Sequence, residues 1–284
     1  MADLALATAD PFAVTDRLWA IVTAGTAARR GWSIRLPCRR PRAVAPLRAA
    51  VERVVDLIPR RRLLAVLARG DAHDADGFAD VERVIQPAYR GSAAEAFLPL
   101  SMIARRDPSA IVVLLPGRGV GQDEEHFLAT LEQGTRAVAA RPDLPLALGL
   151  APPCPRGPGW LEPGALVEGL ESFGVRTVRR FVRRPSPADL ATPQAGGALV
   201  NTGVVVGHAQ ALLALGRRRL PDVLETLEPL QTAPGEPEEH VLREAVYEGM
   251  PYADLSHALF VADEPFGVLV IPRARARLKP VASA

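Results

Sequence analysis

Lysine is nearly missing from this chain. Of its 34 basic residues one, Lys279, is a lysine and the rest are arginine. With heavy use of Ala, Pro and Gly, this fits the codon bias of a GC-rich genome. A Lys→Arg replacement therefore carries less functional meaning here than usual. Cysteine is also scarce. Cys38 and Cys154 form no metal spacing and are too few for a disulfide framework, so a reducing, cytoplasmic compartment is expected. No apolar run approaches the roughly 20 residues of a membrane span, so no membrane partner is expected. The segment Met1–Asp16 has no basic stretch and carries Asp3 and Asp10, so it does not read as a signal peptide. The basic excess is small, with net charge +2 and pI near 8.8, too little to point to nucleic acid. The five histidines, His73, His126, His208, His240 and His257, show no ligand spacing, and no Gly-x-Ser-x-Gly nucleophile motif occurs.

What is present is an ordinary globular composition, 48% hydrophobic and 23% charged over 284 residues, enough to bury a sizeable core. Apolar runs predict strands at Leu18–Thr23, Leu63–Leu67, Val84–Ile85, Ile111–Leu115 and Leu146–Leu150. Further strands are expected at Thr177–Val182, Ala198–Val206 (interrupted by Asn201-Thr202-Gly203) and Gly267–Ile271. Leu47, Val51, Val54, Val55 and Ile58 recur at helical spacing. Ser92 with Glu95 three positions on reads as a capping box opening a helix to about Arg105. A helix over Asp123–Ala140 starts acidic, which suits the helix dipole. The Pro- and Gly-rich stretch Ala151–Gly164 reads as an ordered loop. Three helices, near Ala209–Gly216, Asp222–Leu227 and Glu238–Glu248, fill the last third. Alternating strands and helices predict an α/β fold, a doubly wound, mostly parallel sheet. One domain is expected over residues 1–284, with a core of about 18–271 and flexible ends 1–16 and 273–284. In such sheets ligands gather at the carboxyl ends of the strands, which points to the loops after Thr23, Gln86 and Leu115.

Several blocks fall on those loops: Ala24-Gly25-Thr26…Arg30, Arg40-Pro41-Arg42 and Gln86-Pro87…Arg90-Gly91-Ser92-Ala93. Gly159-Trp160-Leu161-Glu162-Pro163-Gly164 and Asn201-Thr202-Gly203 add to them. Together they resemble the sugar-phosphate nucleotidyltransferases, and within that superfamily most of all the bacterial mannose-1-phosphate guanylyltransferases. The resemblance covers about Leu18 to Ile271. It implies a Rossmann-like fold and a transferase reaction. A sugar-1-phosphate oxygen attacks the α-phosphate of a nucleoside triphosphate, pyrophosphate leaves, and a nucleotide sugar such as GDP-mannose forms. Mg²⁺ and cationic side chains would stabilise the charge that builds on phosphate oxygens.

The resemblance assigns roles residue by residue. Arg30 and Arg42 match catalytic cations. Ala24, Gly25, Thr26, Gln86, Gly91 and Ser92 fall at nucleotide-binding positions, although a cap alone explains Ser92 and a strand end explains Gln86 equally well. Gly159, Glu162 and Asn201 fall at sugar-binding positions. The departures are as informative. Two glycines of the family's phosphate loop are lost at Thr26 and Ala28. Arg42 replaces a lysine whose point charge a flat guanidinium does not reproduce. After Leu115 the family places a metal-binding Asp, and this chain has Pro116-Gly117-Arg118. Arg118 can touch phosphate but cannot ligate Mg²⁺, which takes oxygen ligands. A second metal Asp, expected after the last strand, is absent from Pro272-Arg273-Ala274-Arg275-Ala276-Arg277. No metal ligand can be assigned, even though the family uses Mg²⁺. The family's Glu-Lys-Pro appears as Arg183-Arg184-Pro185. Asp123 and Glu124 read better as a helix start, and Asp71, His73, Asp74 and Asp76 better as a solvated one than as a metal cluster.

Three functions fit these residues. One is a working guanylyltransferase with a shifted metal site. Another is a degenerate member, a pseudoenzyme that binds a nucleotide, a nucleotide sugar or a protein partner. The third is an Arg-rich polyanion-binding module. The substituted metal positions favour impaired turnover over a working enzyme, and the near balance of acids and bases disfavours the polyanion binder.

Overall fold

A computed structural model describes residues 16–23, 44–70, 78, 80–117, 124–151, 159–183, 187–190, 197–231, 238–260 and 265–272. The first half alternates β1 (Leu18–Thr23), α1 (Val44–Val54), β2 (Leu63–Ala68), β3 (Glu82–Gln86), α2 (Ser92–Arg106), β4 (Ile111–Pro116), α3 (Glu124–Ala140) and β5 (Leu146–Leu150). A β-rich stretch follows: β6 (Trp160–Leu166), β7 (Arg176–Val182), the short α4 (Pro187–Leu190) and β8 (Leu199–His208). Helices α5 (Ala209–Arg219), α6 (Pro221–Gln231), α7 (Glu238–Gly249) and α8 (Leu255–Leu259) lead to β9 (Gly267–Ile271).

The strands form one sheet in the order β3-β2-β1-β4-β8-β5-β9-β7-β6. Both faces of its first half are covered, which is why β1 up to Val22, and β2 and β4 throughout, run apolar rather than alternating. Ile21, Leu64, Val112 and Leu114 face one core with Phe97, Leu100 and Ile103 of α2 and Leu212 of α5. Ala20, Val22, Leu63, Ala65 and Val113 face the other with Leu47, Val51 and Val54 of α1 and Phe127 and Leu131 of α3. Each large side chain so buried contributes roughly 1.5–3 kcal/mol.

The expected α/β architecture is present, but the sheet is not mostly parallel. The pairings β1–β2, β1–β4, β2–β3 and β5–β9 are parallel. Those of β8 with β4, β5 and β6, and of β7 with β6 and β9, are antiparallel. Because β6 also pairs with β8, strands β8, β5, β9, β7 and β6 close into a five-stranded barrel. A strand buried on both faces reads as the same apolar run in either direction, so the sequence pattern could not show this reversal.

Two local expectations also change. The stretch Ala151–Gly164 is not loop to its end, since β6 starts at Trp160. Pro163 and Gly164 read as breakers, yet the strand takes them by shifting register at Glu162/Pro163 and again before Leu166, as bulges allow. The capping box at Ser92 does not form. Gly91 is the N-cap, with no side-chain cap bond, and the Ser92 hydroxyl accepts from the distant Leu255 N–H at 2.9 Å.

Candidate functional site

The parallel strands β1, β3 and β4 end at Thr23, Gln86 and Pro116. Gly117 N–H donates to the Thr23 carbonyl at 2.7 Å, so the chain leaves β1 and β4 from adjacent strand ends. Ala24, Gly25, Thr26, Arg30, Arg42 and Arg118 lie outside the described residues, as do Asp71, His73, Asp74, Asp76, Asp123 and 273–284. Gln86, Gly91, Ser92, Gly159, Glu162 and Asn201 are described; five of them fall into two groups, and Glu162 stands apart.

The first group is Gln86–Ala93, held against residues 247–255. Gln86 is 3% exposed, and its amide donates to the fully buried Tyr247 hydroxyl at 3.0 Å. Burial pushes that phenol pKa far up, so Tyr247 stays neutral. Arg90 caps the end of α7, donating to the carbonyls of Tyr247 at 2.6 Å and Glu248 at 2.8 Å. Gly91 sits at φ 92°, and a Cβ there would lie 2.1 Å from the Ala253 carbonyl oxygen, so only glycine fits. Ala253 N–H donates to Arg90 O, and Ala93 N–H donates to Ala253 O, each at 3.1 Å. Tyr89 and Tyr252 meet edge to face at 5.9 Å. The polar groups of this block therefore bind the chain's own C-terminal helical segment.

The second group lies where β8 enters the barrel. Asn201 pairs with Gly149 of β5 and Val205 with Ala147, so Thr202, Gly203 and Val204 bulge opposite Leu148. Asn201 Oδ1 accepts from Gly203 N–H at 3.0 Å, and Thr202 Oγ1 accepts from Val204 N–H at 3.1 Å. The Thr202 hydroxyl donates to Leu148 O at 2.6 Å, and Gly203 takes φ 78°. Asn201 is 1% exposed, and its Nδ2 reaches Ser256 Oγ at 3.3 Å. Gly159 accepts from Asn201 N–H at 2.9 Å, and a Cβ on it would sit 2.5 Å from the Phe181 ring. Asn201 and Gly159 thus hold the barrel seam together.

Glu162 differs from these. It lines a surface cavity of about 380 Å³ with Pro163, Arg176, Arg179, Leu199 and Val270. Its carboxylate accepts from Arg179 Nη2 at 3.1 Å, and Arg180 Nη1 stands 3.8 Å away. Arg176 Nη1 donates to Gly164 O at 2.9 Å. Arg183 Nη2 stands 3.9 Å from Asp254 Oδ2. Asp254 in turn caps α8 by accepting from His257 N–H. Sequence reasoning did not single out Tyr247, Arg176 or Arg179. The cluster of arginines along β7 was the available signal for the last two.

No family model and no curated protein matches the sequence. Solved structures do. A Thermus thermophilus protein described as mannose-1-phosphate geranyltransferase superposes with TM-score 0.73 and 25% identity, over 90% of this chain and 74% of that one. A Helicobacter pylori protein described as mannose-6-phosphate isomerase superposes with TM-score 0.64 and 14% identity, over 90% and 97%. The fold is that of the sugar-phosphate nucleotidyltransferases. In this nucleotidyltransferase fold, no three His, Cys, Asp or Glu side chains among the described residues are grouped to hold a metal ion. No described helix is long and apolar enough to cross a membrane.

Proposed function

We propose that this chain is a mannose-1-phosphate guanylyltransferase-like protein of impaired turnover that binds a nucleotide sugar chiefly through its sugar-phosphate end. The observation that carries the reading is Arg118, two residues beyond the end of β4, where the resembling family has a metal-binding carboxylate. A guanidinium has no lone pair to offer Mg²⁺, so the residues present do not fit the family's metal site. Losing such an ion removes several kcal/mol of transition-state stabilisation. At about 1.4 kcal/mol per tenfold, that is orders of magnitude in rate. The geometry of Gln86 supports the same reading. A residue buried against Tyr247 presents no open amide edge to a base. Glu162 remains at a cavity wall, its carboxylate held in place by Arg179, where it can accept from hydroxyls.

Pyrophosphate release from GTP and mannose-1-phosphate tests this. The wild-type chain should release none above background with Mg²⁺, and Arg118→Asp should raise the rate if the rest of the site survives. Mg²⁺-dependent release by the wild-type chain would overturn the proposal.

A further inference from the structure

We infer that copies of this chain associate head to tail, the acidic stripe of α6 on one copy docking against the arginine-rich surface of β7 on the next. This goes beyond ligand binding and does not depend on what the Glu162 cavity holds. The first support is the uncovered surface of β7. The strand pairs with β6 and β9, yet Arg176, Thr177, Arg179, Arg180 and Arg183 are all exposed. Glu162 faces Arg180 and Pro163 faces Val178, so Arg179 is the extra residue of a bulge. Arg179 and Arg180 therefore share a side rather than alternate, and both reach toward Glu162, at 3.1 and 3.8 Å. Arg176 borders the same cavity. Of these arginines, Arg179 alone is within hydrogen-bond length of a described carboxylate. Arg180 stands 3.8 Å from Asp189 and Arg183 3.9 Å from Asp254, and Arg176 donates to a backbone carbonyl, that of Gly164. A guanidinium carries five N–H donors, so this surface has donors to spare for a carboxylate partner.

The second support is the complementary stripe. Asp222, Glu225 and Glu228 of α6 are exposed and three residues apart, which places them on one side of the helix. The other side buries Val223, Leu224, Leu227 and Leu230 against α2, α5 and α7. None of the three carboxylates has a cation partner among the described residues. They cover about 9 Å of helix, and Arg176 to Arg180 covers about 13 Å of strand, so the long arginine side chains can converge on them. The third support is net charge. At +2 over 284 residues, copies repel one another little, and a charge near zero favours association. The opposite charges sit on separate elements, so each copy offers one stripe of each sign. A contact between two unlike surfaces leaves one of each free and can repeat.

Sedimentation velocity of the full chain tests this at about 0.5 mM, a concentration suited to a contact that exposed ion pairs keep weak. In about 0.01 M salt, where the Debye length is roughly 30 Å, wild type should form dimers and larger species. In about 1 M salt, where it is roughly 3 Å, wild type should be monomeric. Arg179→Gln/Arg180→Gln and Glu225→Gln/Glu228→Gln should each be monomeric at low salt. Mixed in equal amounts they should form a dimer and nothing larger, because each supplies the stripe the other lacks. The control Glu132→Gln/Arg136→Gln, which removes an ion pair within α3, should associate like wild type. Melting within a few degrees of wild type certifies that each variant is folded. Monomeric wild type at low salt, association that survives either stripe variant, or a mixture that stays monomeric would overturn the inference.

Discussion

The Gln86–Ala93 block and the Glu162 cavity both come from motifs of the same resemblance, yet the fold treats them in opposite ways. In the first, Gln86, Arg90, Gly91 and Ser92 each find a partner in residues 247–255, and the block seals the join between β3 and the C-terminal helices. In the second, Glu162 and its arginines lie at the wall of an open cavity. Motif residues in one place can be retained for packing, and in the other for contact with something outside the chain. A sequence match alone does not separate these cases. Burial and partner do.

Substitutions can sharpen the contrast. The largest effect is expected at Gly91. Gly91→Ala combines a positive φ, worth about 1–3 kcal/mol of strain, with a collision against the Ala253 carbonyl. It should lower unfolding free energy by about 3 kcal/mol or more in urea titration. A loss under about 1 kcal/mol would show that the 247–255 segment is not anchored there. Tyr247→Phe comes next. It strands the Gln86 amide in a buried site, at a cost of roughly 1–3 kcal/mol, and urea titration again reads it. If stability is unchanged but GDP-mannose binds tighter, Gln86 has been freed to meet a base and the contrast breaks. On the cavity side, Arg179→Gln should change stability by less than about 1 kcal/mol, because an ion pair with an exposed partner contributes little. A larger loss would make the cavity structural too.

The amino end of the sheet supplies the smallest expected effect. Burial pushes His208 below its ordinary pKa of 6.5, against a partial opposing pull from Asp107. A neutral imidazole is thus favoured in the fold, and its contribution is complete above about 6.5 and lost as pH falls through the lower folded value. Burial alone would raise Asp107, but hydrogen bonds from Ser109 and Trp19 outweigh it and lower the carboxyl. Its contribution is therefore lost only as pH falls below the ordinary carboxylate range. Melting temperature should drop between pH 7 and 5.5, and less so in His208→Gln. Equal slopes in the two proteins would remove His208 from the account.

Much of the framework was legible from the residues. The apolar runs of β1, β2 and β4, and the 3.6-residue spacing of Leu47, Val51 and Val54, place those elements because burial on fixed faces demands that pattern. Strand β6 was hidden because Pro163 and Gly164 carry turn chemistry that bulges absorb. Barrel closure was hidden because the direction of β8 leaves no trace in its apolar run, and the Arg-rich, largely exposed β7 carries no pattern that names its partners. Ser92 misled because a capping box is a local pattern, and its true partner is 163 residues away. The same distance problem concealed Tyr247 as the partner of Gln86.

The central claim is that the chain keeps a sugar-phosphate site without the metal-dependent chemistry of the family it resembles. Thermal unfolding with GDP-mannose, with and without Mg²⁺, tests it most directly. At about 100 times its dissociation constant the ligand should add roughly 2.7 kcal/mol, and the same shift is expected whether or not Mg²⁺ is present. A shift that requires Mg²⁺, or no shift at all, would contradict it.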